Sequence, residues 1–208
     1  MKLDLRHLVG GMVAAIAATI AVAATPAVAQ NVAIEDLAVQ SPIGDLVLGA
    51  ENAPVTIYEY ASMTCPHCAA FHRDTYDALK AEFIDTGQVR FIMREFPLDP
   101  FAAAGFLLAR CTPDAEGYYA MVDLLFEQQA AWAGNYDAFV ALALQAGFTQ
   151  ASFDACLANQ QLIDGIYWSY DRGVEIGVNA TPTFFVNGVR YVGELSIEQV
   201  RDAIAAAL

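Results

Sequence analysis

Cys65-Pro66-His67-Cys68 is the stretch of this 208-residue chain best equipped for chemistry. Two thiols separated by two residues close and reopen a disulfide readily, provided one is reactive and the other shielded. A cysteine at a helix N-terminus meets unpaired N–H groups and the positive end of the macrodipole, which lowers its pKa. Pro66 suits the first helical turn, where its missing N–H would be unpaired in any case. His67 offers a further donor or positive charge beside the sulfur. Cys65 is therefore expected as the catalytic nucleophile and Cys68, one turn deeper, as its catalytic partner. A C-x-x-C is also half a zinc site, but zinc needs more ligands at suitable spacing. The other histidines are His7 and His72, and Cys111 and Cys156 lie far along the chain. No metal is expected, and no bound cofactor, because the cysteines themselves carry the electrons.

The surrounding sequence must place Cys65 at such a helix start. Ala53 to Tyr60 is rich in β-branched and aromatic residues and predicts a buried strand. Ala69 to Thr86 predicts a helix, with Phe71, Leu79 and Phe83 on its apolar face and Gly87 as its stop. Gln88–Arg94 predicts a second strand, so the three form a βαβ unit with a parallel pair. Asp45–Leu48 is expected as a short edge strand. Five helical stretches follow: Phe101–Cys111, Pro113–Ala130, Tyr136–Ala146, Gln150–Asn159 and Leu162–Gly177. Tyr118, Tyr119, Trp132, Phe139 and Phe148 supply aromatic bulk for their core. Thr183–Val186 and Val189–Val192, joined by Asn187-Gly188, predict a hairpin. Ser196 is expected to cap the last helix, with Glu198 and Gln199 near the capping-box position.

The fold class is thus α/β, a small mixed central sheet flanked by helices and carrying a large all-helical insertion. Residues 45–98 and 179–208 make the sheet domain, 99–178 the insertion, and 30–44 an N-terminal tether. Residues 1–29 read as a signal peptide. A short charged start precedes the apolar run Leu8–Ala24, and Ala27-Val28-Ala29 matches a small-x-small cleavage site. An uncleaved membrane anchor is the alternative. Export would place the protein where disulfides persist, in the periplasm. The chain has 24 acidic and 10 basic residues and a net charge of −14. Loss of Lys2, Asp4 and Arg6 with the signal would leave it slightly more acidic. Binding of nucleic acid or of anionic membrane surfaces through charge is therefore not expected.

Four parts of the chain together resemble the DsbA family of the thioredoxin superfamily. They are Ala53-Pro-Val-Thr-Ile57, Cys65-Pro-His-Cys68, the helical insertion, and Ala180-Thr-Pro-Thr-Phe-Phe-Val-Asn-Gly188. Thr64 stands where cytosolic thioredoxins usually carry Trp, and Pro-His replaces their Gly-Pro between the cysteines. The resemblance implies a thioredoxin-like fold and a cis Thr181–Pro182 bond. It makes Thr181 and Pro182 substrate-binding, with the backbone of Thr181 pairing with a substrate strand. It makes Glu59 a proton acceptor beneath the shielded thiol, the alternative being a sheet-edge glutamate facing water. His72 is expected as a flanking surface residue. The resemblance to bacterial members with a second cysteine pair implies a structural Cys111–Cys156 disulfide; two buried free thiols are the alternative. The implied activity is donation of the Cys65–Cys68 disulfide to newly exported polypeptides through a mixed disulfide at Cys65. Reoxidation would come from a quinone-coupled membrane oxidase of the DsbB type, and the protein would be a monomer. A reductase or isomerase kept reduced by a DsbD-type partner, and a copper carrier using Cys65, Cys68 and His67, are the alternatives.

Overall fold

The computed structural model describes residues 31–208. The expected signal peptide, its cleavage site and His7 lie outside the described residues. Among the described residues, five strands form one sheet: β1 (Val47–Leu48), β2 (Val55–Ala61), β3 (Val89–Glu95), β4 (Thr183–Val186) and β5 (Val189–Val192), in the order β1-β3-β2-β4-β5. β2 and β3 are parallel and the other pairs antiparallel. The two central strands are buried on both faces almost throughout. That is why apolar residues fall at both odd and even positions of each strand rather than strictly alternating. Alternate residues of β2 point to opposite layers. Val55 and Ile57 join the larger core, and Tyr58 and Tyr60 join a smaller one with Phe96 and Phe185.

The crossover from β2 to β3 begins with α2 (Pro66–Phe71) and runs on helically to Ile84. It includes two π-helical turns, His72–Tyr76 and Lys80–Ile84, on either side of α3 (Asp77–Leu79). After β3 the insertion comprises α4 (Pro100–Arg110), α5 (Ala115–Glu127), α6 (Gln129–Trp132), α7 (Tyr136–Gln145), α8 (Gln150–Leu157) and α9 (Gln160–Glu175). Asp99, Asp114, Asn135, Thr149 and Asn159 each cap a helix start by accepting from a backbone N–H, as short polar side chains do at such positions. Tyr118, Tyr119, Trp132 and Phe139 are buried as expected, and Phe148 is half-buried. The β4–β5 turn places Asn187 at φ 45° and Gly188 at φ 89°, the positive pair that a two-residue hairpin of this hand requires. The closing helix, α10 (Ile197–Ala207), starts at a capping box between Ser196 and Gln199.

The N-terminal segment expected as a tether is packed against the sheet domain. Its short helix α1 (Ile34–Leu37) buries Leu37, and the Val32 amide donates to the Gly188 carbonyl at 2.9 Å. The cause is Arg94, which is 1% exposed. Its guanidinium donates to the carbonyls of Leu37 and Val39 and pairs with Asp45 at 2.9 Å. A buried arginine needs such partners, and residues 37–45 supply them. On the opposite layer Glu95 is equally buried, paired with Arg110 and hydrogen-bonded by the Tyr118 hydroxyl.

Candidate active site

β2 ends at Ala61, and the turn Ser62–Thr64 delivers Cys65 to the N-cap of α2. Pro66 occupies the first turn of that helix. The loop is held from several sides. The Cys65 amide donates to the Ser62 carbonyl at 3.0 Å. Thr64 Oγ1 donates to Asp99 at 2.5 Å and the Leu98 amide to Ser62 Oγ at 3.3 Å. From α6, Gln129 Nε2 donates to the carbonyls of both Met63 and Cys65 at 2.9 Å. The sheet domain and the insertion thus share the task of fixing the reactive loop.

Both thiols are free. The Cys65 thiol lies against the loop before β4, donating to the Thr181 carbonyl at 3.3 Å. In that loop the Thr181–Pro182 bond is cis. It is braced by the Gly193 amide on the Pro182 carbonyl and by Thr183 Oγ1 on the Ala180 carbonyl. Two chain segments more than a hundred residues apart therefore meet at the sulfur.

The two cysteines have opposite acidities. Cys65 is pulled down to about 5. The largest cause is the hydrogen bond from the Cys68 side chain. Burial opposes it, and the backbone N–H groups of Cys68 and His67 add to the lowering. Cys68, wholly buried, is pushed well above the ordinary range, first by burial, then by its hydrogen bond to Cys65 and the negative charge of Glu59. Such an arrangement favours the thiolate form at Cys65, the form suited to attack and departure, and the protonated form at Cys68. His67 serves the sulfur through its backbone. Its side chain is 71% exposed, with Nδ1 at 3.6 Å from Glu194.

Glu59 is not at a sheet edge. β2 is a central strand, Glu59 stands in register with Met93 and Phe184, and it is 0% exposed. Its Oε2 lies 3.2 Å from His72 Nε2, and its Oε1 has no hydrogen-bond partner. His72 corrects an expectation. The residue anticipated on the surface is buried, its ring stacked at 4.6 Å on Tyr76 and 4.5 Å from Phe126. Its Nδ1 is 3.2 Å from Asp123 of α5. Burial disfavours the charge on His72, but Glu59 and Asp123 outweigh it and raise its pKa to about 9. The signal for this was in the spacing. His72 stands four residues past Cys68 and so shares its helix face. Asp123, Gln129 and Asp99 carried no such signal, since only packing of the insertion brings them near.

Cys111, at the C-terminal end of α4, and Cys156, in α8, form a disulfide across a sequence separation of 45. Among the described residues no group of three or more His, Cys, Asp or Glu side chains is arranged to hold a metal ion.

Comparison with known proteins gives a consistent picture. The family model described as thioredoxin matches residues 41–206. A Rickettsia felis protein, provisionally named a protein-disulfide oxidoreductase, is 30% identical over 172 residues, 79% of this chain and 60% of that protein. A Rickettsia conorii protein of the same provisional name is 32% identical over 171 residues, again 79% of this chain and 60% of the relative. The chain therefore spans about 60% of the length of these curated relatives. The crystal structure of Wolbachia pipientis alpha-DsbA1 superimposes with a TM-score of 0.74 at 27% identity, covering 78% of this chain and 90% of that one. Oxidised BdbD from Bacillus subtilis shares the fold, with a TM-score of 0.70 at 20% identity over 86% of this chain and 96% of its own.

Proposed function

Since the chain belongs to the thioredoxin family, in its DsbA-like branch, we propose that it is a thiol:disulfide oxidoreductase that donates its Cys65–Cys68 disulfide to newly exported polypeptides. One observation carries the reading. At the N-terminus of α2 the chain keeps a pair of thiols with opposite acidities, the acidic one set against the Thr181–Pro182 loop.

A substrate thiolate attacks the Cys65 sulfur of the Cys65–Cys68 bridge. The bridge breaks, a mixed disulfide forms at Cys65, and Cys68 leaves as a thiolate that takes up a proton. Glu59, buried beneath the pair with a free carboxylate oxygen, is the group assigned to supply it. A second substrate thiolate then attacks the substrate's own sulfur and expels Cys65 as its thiolate. The substrate has lost two electrons and the chain holds them as a dithiol. The low pKa of Cys65 makes it a good leaving group, so transfer runs toward substrate oxidation. The backbone of Thr181, next to the sulfur, is the edge on which an extended substrate segment pairs. Reoxidation requires a second disulfide, supplied in this reading by a quinone-coupled membrane oxidase of the DsbB type. The site of action is the periplasm, which the apolar, small-residue N-terminus supports.

The test is direct. The unaltered protein, pre-oxidised, should convert a reduced dithiol peptide to its disulfide, and Cys65→Ala should abolish the conversion. Persistence of activity in Cys65→Ala would remove Cys65 as the nucleophile. Equilibration with glutathione should leave the protein mostly as the dithiol. A protein that stays bridged would instead be a reductase or isomerase.

A further inference from the structure

The proposed chemistry leaves a proton to be moved. Cys68 gains one when the bridge opens and must lose it when the bridge re-forms. Cys68 and Glu59 are both sealed from solvent, so a proton accepted by Glu59 has nowhere to go unless a further group relays it.

Three side chains from three elements form a line outward from that point. Glu59, on β2, is bonded through Oε2 to His72 Nε2 at 3.2 Å, while Oε1 has no hydrogen-bond partner. The side chain of His72, in the π-helical turn after α2, is 3% exposed. Its other nitrogen reaches Asp123 on α5 at 3.2 Å. The Asp123 side chain is 47% exposed. It lines a cavity of about 370 Å³ together with His72, Arg73, Asp77, Phe126 and Glu127. The line thus starts under the active-site helix and ends at water. The other titratable groups around His72 are Tyr76, which stacks on it and whose hydroxyl has no partner, and Arg73, Asp77 and Glu127 of the cavity. None of these stands between Glu59 and His72 or between His72 and Asp123, where the bonds are direct.

We propose that His72 and Asp123 relay the Cys68 proton between Glu59 and solvent. This rests on the oxidoreductase reading above. When the bridge re-forms, Glu59 takes the proton from the Cys68 thiol. As Glu59 becomes neutral, the His72 imidazolium passes its Nδ1 proton to Asp123 and keeps the one on Nε2. Asp123 then gives its proton to water. Glu59 then holds the thiol's proton, His72 is neutral, and one proton has left the group for solvent. When the bridge opens, the same moves run inward. His72 and Asp123 touch no reacting atom, so they are positioning and relay groups rather than catalytic ones.

The two steps of reoxidation separate the proposal from its alternatives. The reduced full chain is mixed with oxidised glutathione, and samples are acid-quenched and weighed by mass spectrometry. In the first step the Cys65 thiolate attacks glutathione disulfide, forming a mixed disulfide and releasing one glutathione; no proton leaves Cys68. In the second step Cys68 attacks the Cys65 sulfur, and its proton must depart. Asp123→Ala, at a half-exposed position, should slow the second step about tenfold or more relative to the first, the scale on which a lost proton-transfer group is felt. Added acetate or imidazole buffer, admitted through the cavity, should restore the rate in proportion to its concentration. His72→Gln should slow the same step. A second step unchanged in Asp123→Ala, or slowed equally at every buffer concentration, would overturn the relay and leave the three residues as a structural ion-pair chain. No reaction at Cys65 of the unaltered protein would instead overturn the oxidoreductase reading itself.

Discussion

Cys65 and Cys68 are the same residue type one helical turn apart, yet they are held at opposite ends of the thiol range. The difference is positional. Cys65 sits at the orphan N–H groups of α2, while Cys68 is sunk between the helix and the central strand above a carboxylate. Because Cys65 titrates near 5 when folded and near the ordinary thiol value when unfolded, its thiolate favours the folded dithiol form. That contribution is fully present above the unfolded pKa and is lost as pH falls through about 5. The melting temperature of the reduced protein should therefore fall relative to that of the oxidised protein as pH drops from 8 to 5. A gap that does not change with pH would contradict the acidic Cys65. His72 has the opposite sign. Its folded pKa is raised to about 9, so its contribution is present below about 6.5 and fades as pH climbs through 9. Alkaline destabilisation between those limits should be weaker in His72→Gln than in the unaltered chain.

Elements were built to hold that pair, and two of their joints can be tested. Asp99 does two jobs at once. Its Oδ1 caps α4 through the Ala102 amide at 2.9 Å, and its Oδ2 accepts from Thr64 beside Cys65. Asp99→Ala should cost about 1 kcal/mol of stability through the lost cap, read as a lower urea midpoint. It should also loosen the reactive loop, read as faster amide exchange at Cys65. Gly173 marks where α9 crosses the small aromatic layer. A Cβ there would come within 2.9 Å of both the Phe96 and Tyr60 rings, and both rings are buried in the layer. Ala is the better helix former by about 1 kcal/mol. Overpacking against two confined rings should exceed that gain, so Gly173→Ala should be net destabilising by about 1–2 kcal/mol. A raised urea midpoint would show that the rings yield.

At the scale of the whole molecule, two long-range ties join the sheet domain to the N-terminal segment and to the insertion, and a third lies within the insertion. Arg94 gathers residues 37–45, Glu95 receives Arg110 and Tyr118 from the insertion, and the Cys111–Cys156 bridge closes the insertion on itself. In the chain-entropy model, a loop closed across a separation of 45 residues stabilises by about 4 kcal/mol. The double variant Cys111→Ala, Cys156→Ala should therefore lose about 2–4 kcal/mol in chemical denaturation. It should still oxidise a dithiol peptide in native buffer, because neither residue touches the active site. Loss of that activity in a folded double variant would place the insertion in the chemistry as well as in the scaffold.

Much of this protein was legible in one dimension because the signals are local. The strand patterns, the cap at Ser196, the Asn187-Gly188 turn and the thiols at a strand-to-helix junction each depend on neighbours a few residues away. The larger pattern of motifs, matched as a set, pointed to the family and to the bridge between Cys111 and Cys156. What local pattern could not reveal were the pairings made by buried charge. Arg94 looked like one more strand residue, His72 like a surface histidine, and residues 30–44 like a tether. A charge leaves water only where partners wait for it, and those partners come from residues 37–45 for Arg94 and from β2 and α5 for His72. The sequence by itself determined where the two free thiols stand, at the start of a helix that follows a strand. The tertiary structure alone decided which side chains surround them, because desolvation and the partners that offset it exist only once distant segments have been brought together.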